Sequence, residues 1–140
     1  MRNSVNLCTS SRCCMIEMRD FIKDSLCECV GQYTLDEVII ACNEIIGNCH
    51  LHGGGENVTF AFEREEQGTE IKIVAIASSF LQNEESLKVK IEDAKKNVKN
   101  QHLPNFTLES GRGFHILAAI TRDLSLNGSS LNMRIPISSN

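Results

Sequence analysis

The chain has 140 residues and a mass of 15.6 kDa, which is the size of one domain with a single hydrophobic core. Hydrophobic residues make up 41% and charged residues 23%, which excludes disorder along the whole length. A net charge of −4 gives no general attraction to DNA or RNA, and no apolar run approaches the roughly 20 residues that cross a bilayer. The polar N-terminus also lacks the hydrophobic block of a signal peptide. We therefore expect one cytoplasmic domain over residues 1–140, with no membrane contact and no direct nucleic-acid partner.

The seven cysteines predict free thiols, because their number is odd and nothing indicates secretion. Zinc sites usually repeat a pair of ligands with a gap of two to four residues, and this chain has no such pair of pairs. Cys42 and Cys49 share a helical face, so we expect both to be small core residues.

The first half of the chain predicts one strand and two helices. The strand is a short edge strand at Ser4–Thr9, and an amphipathic helix that ends near Gly31 follows it. Thr34 and Glu37 have the spacing of a capping box, which predicts the start of a second helix. The glycine run that begins at Gly53 is expected to end that helix.

The second half predicts two hairpins separated by two helices. The first hairpin alternates apolar and polar residues, with Val58, Phe60 and Phe62 inward. A charged, mostly exposed helix and then an apolar helix precede the second hairpin, whose turn is Asn127-Gly128. These elements cover residues 57–64, 70–77, 84–101, 111–121, 123–126 and 130–137. Their order predicts an α+β fold: a two-layer α/β sandwich with one mostly antiparallel, mixed sheet and helices on one face.

One polar stripe on the second helix carries residues that could do chemistry. Glu44, Asn48 and His52 are spaced four and four apart, so they lie along one side of the helix. An amide oxygen at Asn48 can ligate Mg²⁺, and the Glu44 carboxylate can accept a proton. The alternative is a solvated helix face. Gly47, inside the same helix, costs about 1 kcal/mol relative to Ala, which close approach of a ligand or simple tolerance would explain.

A glycine box precedes the apolar helix, in the segment Glu109-Ser110-Gly111-Arg112-Gly113-Phe114. Glycines at a helix start expose backbone N–H groups, and the helix dipole there favours phosphate. Arg112 could add positive charge. Many ordinary loop-to-helix joints share this pattern, so that alternative stays open.

Together, the two features resemble the GHKL ATPase superfamily. The segment from Glu44 to Gly53 looks like its asparagine box, with Glu, Asn, His and Gly in matching order. The particular resemblance is to the small anti-sigma-factor serine kinases of bacteria, single histidine-kinase-like ATPase domains of about this length. Their Gly-x-Gly-Phe box, apolar helix and closing hairpin match the order from Ser110 onward. The similarity covers roughly Ser4 to Ile137.

The resemblance implies a Bergerat-type ATP-binding fold with ATP and Mg²⁺ as cofactors. Asn48 would ligate Mg²⁺, Glu44 would be the general base, and His52 would belong to the nucleotide-binding set. The backbone from Gly111 through Gly113 to Phe114 would cradle the phosphates.

Arg112 would then sit at the lid of that site. Members of the family phosphorylate a serine of an anti-anti-sigma protein and, in another nucleotide state, hold a sigma factor inactive. The implied function is therefore regulation of transcription by partner switching. Family members often dimerise, so the resemblance also allows a homodimer.

One departure from the family concerns the adenine end of the site. The family has an Asp-x-Gly-x-Gly box whose Asp contacts the adenine amino group, but here Ala75, Ala77 and Ser79 stand in its place. Losing that charge-assisted hydrogen bond costs about 1.5–3 kcal/mol. Three hypotheses remain: a serine kinase with an altered adenine pocket, a pseudokinase that binds partners without useful nucleotide affinity, and an unrelated α+β domain.

Overall fold

The structure, a computed structural model, describes residues 2–53, 56–100 and 112–137. These residues form five strands and five helices. In chain order they are β1 (Arg2–Cys8), α1 (Cys14–Leu26), α2 (Gln32–Gly53), β2 (Asn57–Glu63), β3 (Glu70–Ile76), α3 (Ser78–Gln82), α4 (Glu84–Lys99), α5 (Arg112–Ile120), β4 (Arg122–Asn127) and β5 (Ser130–Pro136). No helix in these ranges has both the length and the apolar character needed to cross a membrane.

The strands form one sheet in the order β1-β2-β3-β5-β4, and all four pairings are antiparallel. The predicted α+β class is confirmed, but the expectation of a mixed sheet is wrong for the described strands. The reason is visible at the first connection. Because α1 and α2 bring the chain back to where β1 ends, Asn57 at the start of β2 pairs with Cys8, and β2 runs antiparallel.

One face of the sheet packs against the helices. Alternate strand residues are buried there in one core with the apolar faces of α1, α2, α4 and α5. The predicted inward positions in β2 are confirmed, as is the burial of Cys42 and Cys49. The buried strand residues are Leu7, Val58, Phe60, Phe62, Ile71, Ile73, Ala75, Leu124, Leu126, Leu131, Met133 and Ile135.

The predicted capping role of Thr34 is wrong. Helix α2 begins at Gln32, and its first turn closes through the Leu35 N–H, which donates to the Gly31 carbonyl at 3.0 Å. Thr34 therefore lies inside the helix and is fully buried, and its hydroxyl donates to the Pro136 carbonyl at 3.4 Å. A tertiary contact with β5 occupies the side chain that the local pattern assigned to a cap.

Helix α1 also ends earlier than predicted, at Leu26 instead of near Gly31. The backbone N–H groups of Cys29 and Val30 both donate to the Leu26 carbonyl, at 2.9 and 3.1 Å. This tightened turn ends the helix and leads the chain directly into α2. The closing hairpin is present as predicted, but its two turn residues are Gly128 and Ser129, because Asn127 pairs with Ser130. Gly128 has the positive φ of 63° that such a turn requires.

Candidate functional site

The centre of the candidate site is the pair Glu44 and Asn48 on α2. The buried face of α2 packs on the core through residues such as Ile45 and Cys49, which leaves Glu44 and Asn48 half-buried at its border. The Asn48 Nδ2 atom donates to the Glu44 carbonyl at 3.0 Å. Because a carbonyl only accepts, this bond orients the amide and turns Asn48 Oδ1 away as an available oxygen ligand. The pair thus offers an amide oxygen and a carboxylate on adjacent turns.

Gly113, near the start of α5, lies directly against this pair. A Cβ atom built on Gly113 would stand 2.8 Å from Glu44 Oε2 and 3.1 Å from Asn48 Nδ2. Real Cβ atoms essentially never approach another atom closer than 3.0 Å, so a side chain at position 113 would make the flexible end of the Glu44 side chain shift. The two motifs that the sequence analysis treated separately are therefore neighbours in space.

The other predicted site residues fall into two groups. The Phe114 side chain is 2% exposed and packs in the core, so it anchors the first turn of α5 and leaves only its backbone for a ligand. Arg112 begins α5 and His52 lies within α2, but their side chains are outside the described part of the structure, as is Gly111. The structure thus brings together Glu44, Asn48 and Gly113.

Ala75, the residue that the resemblance aligns with the adenine-binding Asp, is part of the core. Ala75 is fully buried in β3, where it pairs with Phe60 of β2 and Leu131 of β5. Ala77 and Ser79, at the two glycine positions of the box, are each 2% exposed. The side chains of Ala77 and Ser79 are thus enclosed by the surrounding structure, and helix α3, which the sequence did not predict, begins at Ser78.

Glu56 is a residue of this region that the sequence analysis missed. Its carboxylate accepts hydrogen bonds from the Ser78 hydroxyl at 2.8 Å, from the Ser79 backbone N–H at 3.0 Å and from the Ser79 hydroxyl. The hairpin register contains a signal that could have identified it. Phe60 pairs with Ala75, and the same register continued outward places Glu56 opposite Ser79.

The charge of Glu56 follows from these contacts. Burial acts to raise the pKa of Glu56, but the hydrogen bonds from Ser79 and Ser78 outweigh it and the pKa is lowered. Cys49 is also fully buried, and its pKa is raised to about 12 by burial and then by the negative charge of Glu56. Helix α3 packs against α2, the helix that carries Cys49.

Comparison with known proteins gives no match for this chain among protein-family models. A search of curated proteins also finds none that matches. A grouping of three or more His, Cys, Asp or Glu side chains able to hold a metal is not found in the described ranges.

Proposed function

We propose that the chain is an anti-sigma-factor-like regulator of bacterial transcription that acts by partner switching. In this proposal it binds a sigma factor in one state and an anti-anti-sigma protein in the other. The observation that carries the proposal is the contact of Gly113 with Glu44 and Asn48. A chance loop-to-helix joint has no need to pack its glycine against a carboxylate and an amide on another helix.

The finer fold assignment belongs to the same proposal. A Bergerat-type arrangement needs the helix with the Glu–Asn pair and the helix after the glycine box on the same side of one sheet. Here α2 and α5 pack on each other, and both contribute to the core that covers the sheet. This supports the assignment.

The metal and phosphate end of such a site fits the residues present. Asn48 Oδ1 would hold Mg²⁺, which prefers oxygen donors, and the start of α5 favours phosphate. ATP, when bound with Mg²⁺, would supply the phosphoryl group and leave as ADP. The Glu44 carboxylate would take the proton from the hydroxyl of a partner's serine. Serine kinase activity is therefore a second candidate function, favoured by the position of Glu44 beside Gly113.

The purine end does not fit. Ala75 offers no acceptor to an adenine amino group, and the side chains at positions 77 and 79 are buried where the family has glycine. This favours a regulator that binds its protein partners without strong recognition of the adenine base, which is the pseudokinase form of the proposal.

Pairwise binding measured with purified proteins tests the proposal. The chain is titrated with each sigma factor and each anti-anti-sigma protein encoded in its source genome. We expect one protein of each class to bind, and the two to compete. Absence of binding to every member of both classes would contradict the proposal.

Phosphate transfer from radiolabelled ATP to the bound anti-anti-sigma protein distinguishes the serine kinase form of the proposal from the pseudokinase form. A kinase would lose about 100-fold or more of its rate in Glu44→Gln, because the general base is removed. Glu37→Gln, a half-buried Glu two turns earlier on α2, is the matched control and should keep the rate. No transfer by the wild type, with partner binding intact, would assign the pseudokinase form.

A further inference from the structure

We propose that Glu56 and Ser79 determine which ligands the candidate site accepts, by closing its purine end. This inference rests on the proposed function, because only the resemblance assigns a purine end to residues 75–79. We call the hydrogen bonds between the Glu56 carboxylate and residues 78 and 79 the Glu56–Ser79 bridge. It excludes a purine ring and involves neither Glu44 nor Asn48.

The bridge uses both oxygens of one carboxylate. Glu56 Oε2 accepts from the Ser78 hydroxyl at 2.8 Å and from the Ser79 N–H at 3.0 Å, and Oε1 accepts from the Ser79 hydroxyl. The N-cap residue of α3, Ala77, makes no side-chain capping bond, so Glu56 supplies the cap from another element. A helix of five residues is not stable in isolation, and these bonds hold it in place.

Two hydrogen bonds from Thr9 hold the backbone of Glu56 in place. Both the Thr9 N–H and the Thr9 hydroxyl donate to the Glu56 carbonyl, at 3.0 and 2.8 Å. Thr9 itself is buried at the end of β1. Glu56 therefore joins the ends of β1 and β2 to α3, and opening the bridge would also require its side chain to leave this anchored backbone.

The bridge lies where α3 packs against α2, the helix that carries the candidate cation ligand Asn48. A purine ring entering here would have to displace the Ser79 side chain and break the three hydrogen bonds of the bridge. A ligand that carries only phosphate would meet neither obstacle.

Two variants and a matched control test the inference. Glu56→Ala removes the acceptor, and Ser79→Gly removes the side chain and restores the glycine of the family box. Glu63→Gln changes an exposed carboxylate at the other end of β2 and serves as the control. Calorimetry with Mg²⁺ measures the affinities of ADP and inorganic tripolyphosphate, and hydrogen exchange measures protection of the amides of residues 78–82.

We expect both variants to exchange the α3 amides at least tenfold faster than the control. We also expect both to gain at least tenfold in ADP affinity, with tripolyphosphate affinity unchanged. Unchanged α3 exchange would overturn the inference, as would ADP affinity that stays the same or falls. A fall would make Glu56 a ligand contact instead of an obstacle.

Failure of this inference is distinguishable from failure of the proposed function. The proposed function is decided by sigma-factor and anti-anti-sigma binding of the wild type, which needs no variant and no added nucleotide. Should one variant fail to fold, as judged by its thermal unfolding, the other still decides the result, because each breaks the bridge from a different side.

Discussion

A Cβ atom on Gly113 would stand 2.8 Å from Glu44 Oε2, so any side chain at position 113 would displace the Glu44 carboxylate. Gly47, on the same helix as Glu44, is the opposite case, because a Cβ there would meet no atom within 4 Å. A substitution at Gly113 therefore disturbs the candidate site, and one at Gly47 does not. The contrast provides a matched pair of substitutions.

Gly113→Ala should leave the free energy of unfolding within about 0.5 kcal/mol of the wild type, because the displacement of the Glu44 carboxylate and the better helix propensity of Ala act in opposite directions. Urea denaturation followed by circular dichroism measures the change. Gly47→Ala is the control and should raise the free energy of unfolding by about 0.5–1 kcal/mol. Equal effects of the two substitutions would contradict the close packing of α5 on α2.

The lowered pKa of Glu56 predicts how its contribution to stability depends on pH. Burial raises this pKa, but the hydrogen bonds from Ser79 and Ser78 lower it further, to below the ordinary value of 4.5. The ionised form is favoured in the folded state, so the stabilisation is complete above that value and is lost as pH falls through the folded-state pKa.

Urea midpoints of the wild type and Glu56→Gln, measured from pH 7 to pH 3, test this dependence. The difference between them should be constant above about pH 5 and shrink at lower pH. Glu37→Gln is the control. Burial raises the pKa of Glu37, so the wild type should become more stable relative to Glu37→Gln as the pH falls. A difference for Glu56→Gln that grows as the pH falls would contradict the bridge.

Thr34 provides a test of the corrected start of α2. Its hydroxyl donates to the Pro136 carbonyl, so Thr34→Val should lower the free energy of unfolding by about 1 kcal/mol. Thr34→Ser should lower it clearly less, because Ser keeps the donor. Thr34→Asn is the discriminating variant. Asn is a good N-cap but is too large and polar for a fully buried position, so we expect a loss of stability. A stable Asn variant would restore the capping interpretation.

The thiols should differ in their rate of alkylation, with exposed thiols reacting faster than buried ones. Hydrogen bonding to Ser10 lowers the pKa of the exposed Cys8, whereas burial raises the pKa of Cys42 and Cys49. Brief alkylation of the native protein at pH 7.5, read by mass spectrometry, should label Cys8 first and leave the two buried thiols unlabelled. Alkylation in urea is the control, and labelling of Cys49 in the native state would contradict its burial.

The sequence predicted well what depends on neighbours along the chain. The strands of the first hairpin followed from alternation, since Phe60 and Phe62 face the core as expected. The spacing of Glu44 and Asn48 also predicted that they lie on adjacent turns along one side of α2. Their contact with Gly113 was not, because it depends on how α5 packs against α2.

Two misreadings have the same physical origin. Helix α3 is too short to show a helical period, and the carboxylate that holds it belongs to Glu56, which is 23 residues away from Ser79. The Thr34 pattern was read locally, while its hydroxyl bonds to Pro136, which is 102 residues away. In both cases a polar side chain forms hydrogen bonds with a residue that is distant in the sequence, and no local pattern reveals such bonds.

The interior position of β5 has a consequence for synthesis of the chain. The ribosome makes β5 after all the other described strands, yet this strand lies between β3 and β4. Until it emerges, β3 is an open sheet edge and β4 has no partner, and open edges favour association between nascent chains. A message that ends before Ser130 would therefore yield a product prone to aggregate, and completion of the sheet waits for the final strand.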